Sequence, residues 1–193
     1  MRYDSEHKER TRQRVLSEAA AAIRAVGPDG IGVAGVMAKA GLTHGAFYAH
    51  FESKDDLVAQ AISQMFDESR QRFVAKTDNS DPAVALRQFI DSYLSTRHRD
   101  APESGCPLPS LAGELARLPP TAKLRVAKGL DRLTDGMAKR IKELGHANAA
   151  TLAGSMIAEM VGAVALARAV DSQADSDRIL ATSRESVKAR IGL

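Results

Sequence analysis

Apolar residues recur at spacings of three and four along nearly the whole chain, and no stretch shows the strict alternation of a strand. This period is typical of helices that bury one face. It predicts an all-α fold of about nine helices. They are expected over residues 7–26, 33–40, 44–50, 53–76, 82–99, 111–118, 120–144, 147–170 and 175–191.

The apolar stripes of the longer helices predict the core. The first helix has a stripe and an opposite basic side, and Gly27 and Pro28 end it. Its stripe is Val15, Ala19, Ala22, Ile23 and Val26, opposite Lys8, Arg10, Arg12 and Arg14. Residues 53–76 bury Leu57, Ala61, Ile62, Met65, Phe66 and Phe73, and residues 82–99 bury Leu86, Phe89, Ile90, Tyr93 and Leu94. Residues 79–82, Asn-Ser-Asp-Pro, separate these two helices.

The stretch GLTHGAFYAHFESKDDL, residues 41–57, holds three of the eight aromatic residues within five positions. Gly41 can take a positive φ in a sharp turn, and Thr43 suits the N-cap of the helix that follows. Phe47 and Phe51 are four residues apart and share one face, whereas Tyr48 lies on another. The pattern predicts a helix-turn-helix in which the two Phe side chains pack inward and Tyr48 faces a ligand.

A DNA major groove would suit the outward face of this segment. The small residues Gly45 and Ala46 let the backbone approach the groove, His44 can meet base edges, and Tyr48 can donate to a phosphate. Residues 53–56, Ser-Lys-Asp-Asp, begin the next helix with a capping Ser and two acids that suit the helix dipole. Lys54 is then available for a phosphate. Capping alone explains the same four residues without DNA.

The order of these segments, from the basic helix through AGLTHGAFYAHFESKDDLVAQA to a long helical remainder, resembles the TetR family of bacterial transcriptional regulators. The resemblance covers about residues 7–65, and GCPLPSLAGELA is similar to a pattern of some members. It implies a DNA-binding head in residues 1–52 and an effector-binding and dimerisation domain in residues 53–193. It implies DNA contacts by Thr43, His44, Tyr48, His50 and Lys54. Gly32 departs from the family, which usually has a capping Thr or Ser there.

The net charge of +3 is mild, and residues 1–60 hold as many acidic as basic residues. DNA affinity would then depend on a few well-placed cations. We expect a shallow salt dependence, corresponding to about three to five phosphate contacts per protomer.

The apolar helix at residues 152–170 predicts a dimer seam. Leu152, Met156, Met160 and Val164 line up at four-residue spacing, with Ala153, Gly154, Ala158, Gly162 and Ala165 allowing close approach. Together with the last helix it would form a four-helix bundle across a two-fold axis. The alternative is that this helix belongs to the core of a single protomer.

A largely apolar or electrophilic small molecule is the expected effector. Candidate contacts are Met65, Phe66, Phe89, Tyr93 and Cys106, and Phe73 and Met137 could complete a mostly apolar pocket. Met and Phe stripes at helical spacing usually form the core, and that is the stronger explanation here. Cys106 lies before Pro107 at a predicted helix start, where the dipole favours a thiolate. Some members of the family that the chain resembles sense electrophiles through such a thiol; the alternative is an inert, partly buried residue.

Other functions find little support in the sequence. The chain has no signal-like N-terminus and no long uncharged apolar run, so we expect a cytoplasmic protein that spans no membrane. With one cysteine and no His-Glu-x-x-His, Gly-x-Gly-x-x-Gly or phosphate-loop pattern, we expect no metal site, cofactor or catalytic centre. A helical protein-interaction module remains an alternative. The preferred function is a ligand-responsive regulator, a repressor by analogy with the family, that binds a palindromic operator as a homodimer.

Overall fold

The structure of the protein, a computed structural model, describes residues 2–78 and 81–193, with side chains from residue 6 onward. These ranges contain helices and no strand, so the all-α prediction is confirmed. The helices are α1 (Arg2–Val26), α2 (Val33–Lys39), α3 (Lys54–Thr77), α4 (Pro82–Tyr93), α5 (Thr96–Asp100), α6 (Pro107–Leu111), α7 (Pro120–Glu143), α8 (Ala149–Ala169) and α9 (Gln173–Ala189). Short 3-10 helices span His44–Ala49, Pro102–Ser104 and Leu115–Arg117.

We call α1, α2 and His44–Ala49 the head, and α3 to α9 the body. One apolar cluster fills the head and continues into α3, α6 and α7, and a second lies among α4, α7, α8 and α9. All six predicted core residues of α3 are buried. In α1 the stripe holds for Val15, Ala19 and Ile23, but Val26 is 61% exposed because the chain turns away at Gly27, where φ is 77°.

Two predicted helices are wrong in their bounds. The helix predicted over residues 82–99 ends at Tyr93, because Ser95 caps a new helix by accepting a hydrogen bond from the His98 N–H at 3.2 Å. The helix predicted over residues 111–118 is replaced by α6, which begins at Pro107, and by a 3-10 turn. The start at Asp81 and Pro82 is confirmed, while Asn79 and Ser80 lie outside the described residues.

Two arginines fasten the connecting segment, residues 94–119, to the C-terminal helices. Arg168 of α8 donates to the carbonyl oxygens of His98 at 2.8 Å and Arg99 at 3.0 Å, and to Ser110 Oγ at 3.1 Å. Arg99 is buried, and its Nη1 donates to Ser176 Oγ at 2.8 Å and to Asp177 Oδ1 at 2.5 Å. The segment is therefore held by partners that lie far away in sequence.

Helix α8 lies within the body of one protomer. Met156, Met160 and Val164 are at most 1% exposed and belong to the second apolar cluster, so the prediction that they form a dimer seam is wrong. Among the described helices, α8 alone has the length and apolar composition to cross a membrane, a test that the core helix of a soluble protein also passes. Its contacts with α7 and α9 bury one face of it in the second apolar cluster.

Candidate DNA-binding surface and ligand cavity

The turn between α2 and the next segment is set by Gly41, whose φ is +70°. Its N–H donates to the Ala38 carbonyl at 2.9 Å, and the Leu42 N–H donates to the Met37 carbonyl at 2.9 Å. This pair of bonds is a Schellman motif, which ends a helix and reverses the chain. Leu42 is half-buried against the head core. The predicted glycine turn is confirmed.

The recognition segment, His44–Ala49, is a 3-10 helix and not the predicted α-helix. Thr43 occupies its N-cap position but makes no side-chain capping bond, so that prediction is wrong. The turn closes through the backbone, because the Phe47 carbonyl accepts from the N–H groups of both His50 (2.9 Å) and Phe51 (3.0 Å).

The aromatic residues of this segment divide as predicted. Phe47 and Phe51 are 2% exposed, and their rings stack with centroids 5.6 Å apart. Tyr48 sets its ring edge against Phe47 at 5.2 Å and is 72% exposed. The buried pair therefore fixes a very short helix, and Tyr48 is left on its outer surface.

The residues predicted to contact DNA differ in exposure and in their hydrogen-bond partners. Thr43, His44 and Gly45 are exposed beside Tyr48. His50 is half-buried, its Nδ1 lacks a hydrogen-bond partner among the described residues, and burial lowers its pKa, aided by the nearby Lys8 and Arg12. Lys54 is half-buried and its Nζ donates to the Asp29 carbonyl at 3.4 Å. Four of the six predicted residues thus lie freely on one outer surface.

The start of α3 confirms the predicted cap. Ser53 Oγ accepts from the Asp56 N–H at 3.0 Å, and Asp56 Oδ2 accepts from the Glu52 N–H at 3.2 Å. At the start of α2, Gly32 supplies no side-chain cap. The N-terminus of α3 is thus capped by side chains, whereas the N-terminus of α2 is not.

Not every basic residue of the head is available to DNA. Arg24 is 5% exposed and pairs with Glu68 of α3 at 2.6 Å. Arg12 is half-buried over the Phe51 ring and donates to Gln60. Among the head residues whose side chains are described, the exposed cations are Lys8, Arg10, Arg14 and Lys39. Exposure alone therefore leaves fewer candidate phosphate contacts than the sequence count suggests.

The body encloses a cavity of about 270 Å³ between α3, α4, α7, α8 and the connecting segment. Of the predicted effector residues, Phe89, Tyr93 and Cys106 line it. Met65 and Phe66 do not: both are buried in the first apolar cluster, and Phe66 packs against Gly129 of α7. Further lining residues are Phe73, Leu133, Met137, Ile157 and Met160 on the apolar side, and Ser69, Arg72, Lys76, Ser92, Arg97 and His98 on the polar side.

His98 links Tyr93, the last residue of α4, to Cys106 at the start of α6. Its Nε2 accepts from the Cys106 N–H at 3.0 Å, so its proton lies on Nδ1, which donates to the Tyr93 carbonyl at 2.7 Å. Burial lowers the pKa of His98; the Tyr93 carbonyl opposes this change, while Arg168 and Arg72 add to it. His98 is therefore a neutral imidazole, and both of its ring nitrogens are hydrogen-bonded.

Cys106 lies at the N-cap of α6 and is 7% exposed. Burial raises the pKa of its thiol, and the opposing influences of Tyr93, the Leu108 backbone and nearby arginines do not overcome it. The expectation that the helix start favours a thiolate is wrong, because α6 has only five residues and the cavity wall covers the sulfur. The thiol is neutral in this structure.

The hydroxyl of Tyr93 is buried in the cavity wall. Its only polar neighbour among the described residues is the thiol of Cys106, a weak partner that forms no well-aligned hydrogen bond with it. Burial raises its pKa well above the ordinary value, and the neighbouring Cys106 adds to this. The ring is fixed by edge contact with His98 at 4.6 Å. Sequence reasoning named this residue for its apolar ring and missed its hydroxyl.

The polar side of the cavity was not predicted either. Arg72, Lys76 and Arg97 read in the sequence as ordinary solvent-exposed positions of helices. Only the packing of the connecting segment against α3 and α4 brings them together. The one local signal is the four-residue spacing of Arg72 and Lys76, which places both on one face of α3.

The chain was compared with known protein families, curated proteins and solved structures. The family described as "Tetracyclin repressor-like, C-terminal domain" matches residues 82–183, and "Bacterial regulatory proteins, tetR family" matches residues 15–61. No curated protein gave a significant match.

Solved structures with the same fold cover nearly the whole chain. A TetR transcriptional regulator from Chloroflexus aurantiacus is 26% identical over 97% of this chain and 96% of its own, with a TM-score of 0.81. A TetR-family regulator from Agrobacterium tumefaciens is 25% identical over 93% and 98%, with a TM-score of 0.78. The reduced form of NemR from E. coli, 18% identical over 93% and 96% with a TM-score of 0.80, shares the fold.

The two family matches cover the head and most of the body, and the first alone spans more than half of the chain. Members of this family are DNA-binding regulators and not enzymes. The chain belongs to the TetR family of bacterial transcriptional regulators.

Proposed function

We propose that this regulator is a cytoplasmic homodimeric repressor that binds a palindromic DNA operator and is released by a small molecule bound in the cavity. Residues 1–52 form the DNA-binding domain, and residues 53–193 form the effector-binding and dimerisation domain. One observation carries the proposal. Helix α3 begins with Lys54 beside the recognition segment and continues to Arg72, Phe73 and Lys76 in the cavity wall.

The recognition segment supplies the DNA contacts in this proposal. His44 meets base edges, Gly45 lets the backbone approach the groove, and Thr43 and Tyr48 bond to phosphates. Lys54 exchanges its long contact with the Asp29 carbonyl for a phosphate, and His50 contributes the exposed part of its ring. The exposure of Thr43, His44, Gly45 and Tyr48 on one surface supports these roles.

A rigid connection between cavity and head supports release by a ligand. Helix α3 has 24 residues, which is about 36 Å at 1.5 Å per residue. Helix α1 lies along it through bonds from Gln13 to Gln64 (2.7 Å) and from Arg24 to Glu68 (2.6 Å). An effector that prefers a conformation with wrongly spaced heads lowers operator affinity by its differential binding energy, typically about 1–3 kcal/mol.

Dimerisation places two recognition segments in successive major grooves, about 34 Å apart. The exposed face of α8 suits this role, since Leu166 is 60% exposed and lies beside the small residues Ala158, Gly162 and Ala165. Small residues let helices approach closely across a two-fold axis. This face differs from the buried Met156 and Met160 side of the same helix.

Fluorescence anisotropy tests the proposal, using the DNA that flanks the gene of this protein and a scrambled duplex as competitor. We expect specific binding of two protomers per site and a salt slope that corresponds to about three to five phosphates per protomer. Tyr48→Phe and Lys54→Ala should weaken binding. Lys139→Ala, an exposed change on α7, is the control and should not. Equal binding to both duplexes, or a salt slope near zero, contradicts the proposal.

A further inference from the structure

We propose that the cavity takes an organic anion, a carboxylate carried on a small aromatic or short aliphatic body. The inference rests on the proposed function in that it assigns a chemical class to the effector of the same site. Its basis is a charge imbalance: Arg72, Lys76 and Arg97 line the cavity, and none of the described lining residues is Asp or Glu.

These three cations also lack carboxylate partners. No ion pair within 4.0 Å joins any of them to a described Asp or Glu side chain. Other arginines of the body and of its border with the head are paired in this way. Arg24 contacts Glu68, Arg99 contacts Asp100 and Asp177, Arg140 contacts Glu143, and Arg184 contacts Asp91. Unpaired cations such as Arg70 and Arg87 also lie elsewhere on the body, so what distinguishes the cavity is that three of them meet where no described lining residue is acidic.

Arg72 is the best placed of the three to hold an anion. Its Nη2 donates to Ser69 Oγ and to the Gly105 carbonyl, each at 3.2 Å, and both acceptors are neutral. The neighbouring Glu68 does not serve as its partner, because its Oε2 accepts from Arg24 and its Oε1 from Gln64. A guanidinium in this setting keeps its charge and suits the planar, two-oxygen geometry of a carboxylate.

A second donor belongs to the same site. Tyr93 lines the cavity, and the only polar neighbour of its buried hydroxyl among the described residues is the thiol of Cys106, which is a weak hydrogen-bond partner. An oxygen of a bound anion would satisfy the hydroxyl. His98 cannot serve in the same way, because the Cys106 N–H and the Tyr93 carbonyl occupy both ring nitrogens. Arg72 and Tyr93 are thus the residues to which the structure assigns the anionic group.

The rest of the wall selects an apolar body. Phe73 and Phe89 meet edge to face at 4.8 Å, and Met137 and Met160 are buried beside the cavity. The volume of about 270 Å³ lies near the lower end of the range for ligand pockets, roughly 300–1,000 Å³. One ring or a short chain suits this space. An inorganic anion would leave the apolar wall empty, and an organic cation would meet three like charges.

Isothermal titration calorimetry on the full-length protein tests the inference with three probes of equal size. These are 3-phenylpropanoate, 3-phenylpropanamide and 3-phenylpropylamine. We expect the carboxylate to bind at least tenfold more tightly than the amide, and the amine to bind most weakly. Arg72→Gln should lower carboxylate affinity at least tenfold and leave the amide unchanged. Arg70→Gln, an exposed change on the same helix outside the cavity, is the matched control.

Tyr93→Phe provides a second variant that keeps the ring, and it should weaken carboxylate binding several-fold even if Arg72→Gln fails to fold. The inference is overturned if the amide or amine binds as tightly as the acid, if none of the three binds, or if a folded Arg72→Gln variant binds the acid unchanged. Operator anisotropy on the same samples separates the two proposals. Arg72-dependent binding that leaves DNA affinity unaltered refutes ligand-controlled release and keeps the anion site.

Discussion

The head and the body each contain a tyrosine that is proposed to bind a partner, and the two differ in exposure. Tyr48 presents its hydroxyl outward and is 72% exposed, whereas the Tyr93 hydroxyl is enclosed in a cavity wall. The head turn is closed by bonds between residues three and five apart, from Gly41 to Ala38 and from Leu42 to Met37. The cavity wall depends on Arg168, which reaches residues 58 to 70 positions away. The candidate DNA-binding surface is thus built locally, and the candidate ligand cavity is built from remote parts.

The largest expected effect is the loss of a remote anchor. Arg168→Met removes three hydrogen bonds and leaves the His98 and Arg99 carbonyls without this donor. Unsatisfied buried groups cost about 1–3 kcal/mol each, so we expect a loss of about 2–4 kcal/mol in the free energy of unfolding, measured in urea. Native-state hydrogen exchange should show the loss of protection mainly in residues 94–119.

Arg178→Met is the control for this prediction, because Arg178 makes an exposed ion pair with Asp175 on α9. Such pairs contribute little, so its unfolding free energy should change by less than about 0.5 kcal/mol. If Arg168→Met opens the head amides as much as those of residues 94–119, the contrast between a local head and a remotely anchored body fails.

A pair of glycine substitutions should act in opposite directions in the two regions. A Cβ at Gly129 of α7 would lie 2.2 Å from Cγ of Phe66, whereas one at Gly35 of α2 would meet nothing within 4 Å. We expect Gly129→Ala to destabilise by about 1–2 kcal/mol, since overpacking exceeds the gain in helix propensity. Gly35→Ala should stabilise by up to about 1 kcal/mol. Urea titration checks both, and equal signs would contradict the packing described.

The two tyrosines offer the closest comparison. Tyr48→Phe should weaken operator binding roughly fivefold to tenfold through one lost hydrogen bond and leave stability unchanged. Tyr93→Phe should leave operator binding unchanged and stabilise the apo protein by about 1 kcal/mol, because it removes a buried hydroxyl whose only polar neighbour among the described residues, the Cys106 thiol, is a weak partner. Anisotropy and urea unfolding on both variants measure this. A destabilised Tyr93→Phe would show that the hydroxyl already has a strong partner.

The smallest expected effect is a dependence of body stability on pH. Burial lowers the pKa of His98 below its ordinary value of 6.5, with Arg168 and Arg72 adding to the shift. As the pH falls below about 6.5, the unfolded chain binds this proton before the folded one. The stability contribution is therefore complete above that pH and declines below it. His98→Asn should flatten the slope measured by urea unfolding from pH 5 to 7.5; an unchanged slope would contradict the assignment.

The sequence predicted the local structure of the head better than the cavity of the body, and the reason is physical. Gly41, the inward Phe47 and Phe51 and the Ser53 cap act on neighbours within a few residues, so their roles are readable from the chain. The 3-10 form of His44–Ala49 was missed because propensity does not resolve helix type in so short a segment. In the body, the position of residues 94–119 depends on the distant Arg168, and the surroundings of the Tyr93 hydroxyl depend on the distant Cys106. Neither follows from local periodicity.

The hydrogen bonds of Arg168 to residues far away in sequence also determine which region can form first during synthesis. A ribosome delivers the chain from the N-terminus, and domains generally fold as they emerge. The residues that form the recognition turn are complete long before Arg168 and Asp177 exist to fasten His98 and Arg99 in place. A nascent or prematurely terminated chain can therefore contain the residues of the proposed DNA-binding surface without a complete cavity. If the proposed function is correct, control by a ligand requires translation through the last two helices.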